Sequence, residues 1–200
     1  ARTAKEAGMG YILFLTKHHD GFCLWDTRTT DRKVTKSPLG RDVLAELRRS
    51  CDEYGIKLAL YFSEGDWTWP GAVDGKGWNA GAGRNPEMKK AQLKELLTQY
   101  GPVEYIWFDH AVGDGGLNHA ETIAFCKSLQ PGCFVGFNHG DQEDADIRLG
   151  EMGRPGPLND PAAAGPYMKD SPSKSYRIAE FTYPILPPHE GGAMWFYSLP

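Results

Sequence analysis

The 200 residues hold few cysteines, no excess of positive charge and no long apolar run, and each shortage closes off a class of protein. Cys23, Cys51, Cys126 and Cys133 form neither a C-x-x-C pair nor a dense framework, which argues against a zinc ribbon and a disulfide scaffold. Twenty-two Lys and Arg against 26 Asp and Glu leave a formal charge of −4, whereas a protein that grips nucleic-acid phosphates needs a cationic stripe. Nucleic acid is therefore not the expected partner. No apolar run approaches the roughly 20 residues that span a bilayer, so a membrane is not expected either. Absent too are a G-x-G-x-x-G or P-loop at a strand-to-helix turn and the G-x-S-x-G elbow, which weakens nucleotide-binding and serine-hydrolase readings.

What is present is 40% hydrophobic and 12% aromatic, too apolar for a disordered chain, and long enough for one domain or part of a larger one. Six Trp, 24 Gly and 14 Pro suit long loops that build a pocket on a scaffold. Thr3 to Gly8 reads as the end of an amphipathic helix. Tyr11 to Leu15, Lys57 to Phe62, Glu104 to Asp109 and Phe134 to Asn138 are short apolar runs of the kind buried on both faces of a parallel sheet, and Asp146 to Gly150 is a further short candidate. Between them, helical spacing runs from Gly40 to Tyr54, from Pro86 to Tyr100 and from Leu117 to Leu129, with Gly55 and Gly101-Pro102 as stops. Ser63 to Asn85 and Gly153 to Ser175 read as long loops.

Repeated β then α means an α/β fold with helices outside a parallel sheet, either an open sheet or a (β/α) barrel. The polar residues favour the barrel. Lys17-His18-His19-Asp20, Glu64-Gly65-Asp66-Trp67, Trp107-Phe108-Asp109-His110 and Asn138-His139 each follow the C-terminal end of an apolar run, which is where barrel sites are assembled.

Asp109, flanked by Trp107 and Phe108, is placed to be a half-desolvated nucleophile or base; the competing reading is a cap on the next turn. A glycosidase needs a second carboxyl group, and Glu151, Glu180, Glu64 and Asp66 are the candidates. Glu151 could instead pair with Arg148 or Arg154. His18 and His19 suit hydroxyl recognition, or could join Asp109 around a metal, although consecutive residues on an extended chain point opposite ways. Trp25, Trp67, Trp69, Trp78, Trp107 and Trp195 exceed what core packing needs, and sugar faces stack on such rings.

Thr16-Lys-His-His-Asp-Gly-Phe-Cys-Leu-Trp-Asp26 resembles the signature of the α-L-fucosidases of glycoside hydrolase family 29. The likeness continues through Thr30-Asp31, Gly40-Arg41-Asp42-Val43, Leu60-Tyr-Phe-Ser63, Asp66-Trp67 and Tyr100 to Asp109. The resemblance implies a retaining hydrolase that releases terminal α-L-fucose, with Asp109 as nucleophile and Glu151 as acid/base, Glu180 being the rival for the second role. On that mechanism Glu151 carries a raised pKa while Asp109 stays ionised. The resemblance assigns fucose binding to His18, His19, Tyr61, Trp107 and Trp195, requires neither metal nor cofactor, and implies a fucosylated glycan as partner. Two departures stand out: many members read W-F-D-G where this chain has His110, and Asn138 to Asp141 offers no clear match to an Arg common there.

The family's earlier barrel strands would precede Ala1 and its β-sandwich would follow Pro200, so residues 1–200 are expected to form a partial, TIM-like (β/α)-barrel catalytic domain. Relatives are lysosomal, secreted or periplasmic. Two other functions remain open on the residues: a degenerate or truncated carbohydrate-binding fragment without catalysis, and a metal-dependent hydrolase using His18, His19 and Asp109.

Overall fold

A computed structural model describes residues 1–72, 83–110, 115–138, 144–151 and 177–182. Helix α1 (Arg2–Glu6) leads into strand β1 (Tyr11–Lys17), followed by α2 (Val43–Tyr54), β2 (Lys57–Ser63), α3 (Pro86–Gln99), β3 (Tyr105–Asp109), α4 (His119–Leu129), β4 (Phe134–Phe137), β5 (Ile147–Glu151) and β6 (Ile178–Thr182). The six strands pair in sequence order, every pair parallel.

The helices begin where local chemistry tells them to. Asp42 accepts from the Ala45 N–H at the start of α2, and Asn85 accepts from Met88 N–H ahead of Pro86. Asn118 and Glu121 form a reciprocal capping box at α4. Gly55 closes α2 in the left-handed region at φ 63°, a conformation open to glycine without a Cβ penalty.

Apolar side chains cover both faces of the sheet, as parallel strands require. On the outer face Leu58, Leu60, Phe62, Ile106, Phe108, Val135 and Phe137 pack with Leu44, Leu93, Leu96 and Cys126 from the helices. On the inner face Ala59, Tyr105, Trp107, Ile147 and Leu149 form a second cluster with Leu13 and Tyr61. A flat sheet of six strands would hold its edges about 24 Å apart. Yet the Tyr11 hydroxyl of β1 donates to Glu180 Oε2 of β6 at 3.3 Å, so the sheet curls its inner face into a half-barrel. The expected partial TIM-like barrel is what the strands build.

Two local features differ from the sequence reading. Ile178–Thr182 is a strand although its five residues carry no clear alternation; its register comes from pairing with β5, Leu149 opposite Glu180 and Glu151 opposite Thr182. In β1 the register slips between Leu15 and Lys17, turning Lys17 out of the barrel and into a buried ion pair with Asp66 at 2.8 Å. All four cysteines are buried and free, and burial pushes the thiols of Cys23, Cys126 and Cys133 up to about 12. No helix among the described residues is long and apolar enough to cross a membrane.

Candidate active site

Asp109 closes β3 on the inner face and is only 7% exposed. Its Oδ1 accepts the backbone N–H of His110 at 2.8 Å and the Asn138 amide at 2.9 Å, while Oδ2 accepts the Tyr61 hydroxyl at 2.5 Å. Three converging donors suit a carboxylate, which accepts without donating. His110 supplies its N–H by adopting φ 54°, the sole positive φ outside glycine among the described residues. Such a conformation costs an ordinary residue roughly 1–2 kcal/mol. The strain sits where it aims a donor at Asp109. Neighbouring Gly65 leaves room for the His110 ring, since a Cβ there would meet its Cγ at 2.8 Å.

Glu151 closes β5, and its Oε2 accepts from the same Asn138 nitrogen at 2.6 Å. Two oxygens gripped by one nitrogen cannot lie farther apart than about 5.5 Å, the upper end of those two bonds laid end to end. That limit admits the about 5–5.5 Å of retaining carboxylate pairs and falls short of the roughly 6.5–9.5 Å that leaves room for a water in inverting ones.

A ladder of near-parallel rings flanks the pair. Trp107 stacks on Tyr61, its cross-strand neighbour, with centroids 5.3 Å apart, and Tyr61 stacks on His18 at 5.5 Å. Burial raises the Tyr61 phenol well above its ordinary value, with Asp109 adding to it, so the hydroxyl keeps its proton. Burial also lowers His18, outweighing the opposite pull of Asp109 and Asp20. The Trp107 Nε1–H and the Asn138 Oδ1 are buried with no hydrogen-bond partner among the described residues. Such orphaned groups ask for a polar ligand.

His19 is held by Ser63. The Ser63 hydroxyl donates to Gly65 O at 3.1 Å, so its oxygen is left to accept from His19 Nδ1–H. The other nitrogen, Nε2, lies 3.7 Å from Asp109 Oδ2. The His18 and His19 rings stand only 4.1 Å apart, contrary to the expectation that consecutive residues diverge. The reason is local: β1 ends at Lys17, and a turn closed by Gly21 N–H on His18 O brings both imidazoles to one side. One ligand atom each from His18, His19 and Asp109 lie within 4.8 Å of one another, so these three could hold a metal ion.

The remaining carboxyl candidates are occupied elsewhere. Glu64 is fully buried in an ion pair with Lys89, which also donates to Thr122 at 2.8 Å. Asp66 pairs with Lys17 and caps the turn at Thr68. Glu180 accepts from Tyr11 and from Tyr105, which lies two inner-face positions before Asp109 on β3. Trp25 and Trp69 are core, and Trp67 lies 5.6 Å from the His19 ring. Trp195, Trp78, Arg154 and His139 lie outside the described residues. Asn138 and Ser63 were given no role by sequence, although Asn138 follows the same strand-end rule that marked Asp109.

Compared with known proteins, residues 1–177 match the profile of the family described as Alpha-L-fucosidase. A "Putative alpha-L-fucosidase 1" of Oryza sativa subsp. japonica is 40% identical over 118 residues, covering 58% of this chain and 22% of the rice protein. Among solved structures, the alpha-L-fucosidase isoenzyme 1 from Paenibacillus thiaminolyticus superposes with a TM-score of 0.66 at 30% identity, over 78% of this chain and 42% of that one. An alpha-L-fucosidase GH29 from Bacteroides thetaiotaomicron gives a TM-score of 0.66 at 31% identity, over 81% and 41%. The matched stretch covers about a fifth of the length of these curated relatives, so the chain spans only part of them.

Proposed function

Because the chain belongs to the alpha-L-fucosidase family, we propose that it releases terminal α-L-fucose from fucosylated glycans with retention of configuration. Asp109 attacks the anomeric carbon while Glu151 protonates the departing oxygen. Water, deprotonated by Glu151, then releases the sugar from Asp109. The observation that carries this reading is the Asn138 amide, which grips both carboxylates at once and keeps them within reach of a single glycosidic bond.

The other donors fit the same task. The Tyr61 hydroxyl and the His110 N–H orient Asp109 without neutralising it, so the attacking oxygen starts close to its reacting position. The unpartnered Trp107 N–H and Asn138 Oδ1 supply one donor and one acceptor, the pair of functions a sugar hydroxyl satisfies. His18 and His19 complete the hydroxyl-binding wall, and Trp195 is assigned to the same pocket on resemblance alone. Similar proteins have been solved with a 4-nitrophenyl α-L-fucopyranoside substrate and with a monovalent iminocyclitol inhibitor. The full chain should turn over an aryl α-L-fucoside, and NMR of the first-formed product should show the α anomer. β-L-Fucose as the first product would reject the double displacement.

A further inference from the structure

His18, His19 and Asp109 each turn a metal-ligating atom toward one small space. Ser63 holds the His19 ring through Nδ1, which leaves Nε2 3.7 Å from Asp109 Oδ2. Tyr61 and the two donors on Oδ1 lock the Asp109 carboxylate with Oδ2 on the imidazole side. His18 is held against His19 by stacking on Tyr61.

We propose that His18, His19 and Asp109 form a site for a zinc-type dication, and that the ion occupies the catalytic centre in competition with the sugar. Two imidazole nitrogens and one carboxylate oxygen, with a fourth position left open, is the donor set of open zinc sites, where bonds run about 2.0–2.2 Å. Hard cations such as Mg²⁺ and Ca²⁺ prefer six or more oxygens and find too few here. The ligand atoms, all within 4.8 Å of one another, need only side-chain adjustments to close on such an ion. The competitive part rests on the hydrolase reading above; the ion site does not.

The test is calorimetry of Zn²⁺ binding to the full chain, with the visible absorption of Co²⁺ as a second probe. One equivalent is expected, displaced by L-fucose, with turnover falling as zinc rises. Ser63→Ala keeps the ligands but frees the His19 ring, and should weaken binding roughly 10–100-fold. His18→Gln should weaken it at least as much. Co²⁺ held through these residues yet not displaced by L-fucose would support the ion site and count against the sugar reading. No binding at millimolar Zn²⁺, an affinity indifferent to both variants, or turnover that zinc restores after chelation would overturn the proposal.

Discussion

The curled sheet encloses two carboxylates held by tyrosine hydroxyls, and they differ in everything else. At the C-terminal rim, Asp109 accepts from Tyr61 and shares the Asn138 amide with Glu151. Lower down, Glu180 accepts from Tyr105 and Tyr11, which themselves meet edge to face at 5.5 Å. Burial is the largest influence on Glu180 and raises its pKa. A perturbed carboxyl group is often taken as a mark of a site, yet here it belongs to a polar knot that ties β1, β3 and β6 across the barrel. What sets the rim apart is a second carboxylate within bonding distance of the same nitrogen, together with a donor and an acceptor that no described residue satisfies.

The contrast can be broken from either side. The largest effect is expected at Asp109, where Asp109→Gly should lower kcat by about 10⁴-fold or more, since on the proposed mechanism it removes the nucleophile. Glu151→Gln should cost about 10²–10⁴-fold on a substrate with a poor leaving group and much less on a dinitrophenyl fucoside, which leaves without a proton. Asn138→Ala should cost roughly 10²–10³-fold, comparable to removing one oriented donor, and should displace the pH–rate profile because both carboxylates lose a shared partner. A profile of unchanged shape would reduce Asn138 to packing.

The smallest effect is expected at Glu180. With its folded pKa raised, the protonated form is the one folding favours; that contribution is present at low pH and lost as pH rises through the folded value. Glu180→Gln cannot ionise, so its unfolding free energy at pH 7 should equal or exceed that of the parent, by no more than about 1 kcal/mol, and activity should stay within about twofold. Loss of activity comparable to that of Glu151→Gln would move the acid/base role to Glu180.

Much of this arrangement was legible in the residues because buried parallel strands leave continuous apolar runs, and because polar groups at their C-terminal ends mark the working rim. The runs ending at Leu15, Phe62 and Asp109 are all strands, each extended or trimmed by only a residue or two. Ile178–Thr182 was not legible as a strand, since its pairing is imposed by β5 rather than by its own pattern. The approach of His18 to His19 was hidden for a similar reason: alternation holds within a strand and fails in the turn that follows. Asn138 was visible as a strand-end polar residue, but that one amide bridges two acids is a fact of register between β3, β4 and β5.

The central claim is that Asp109 attacks the sugar with Glu151 as its partner, and the most direct measurement is azide rescue of Asp109→Gly on an aryl α-L-fucoside. Azide should enter the space the carboxylate vacates, restore turnover and yield β-L-fucosyl azide, the product of a single displacement. An Asp109→Gly protein that remains fully active and forms no fucosyl azide would contradict the account.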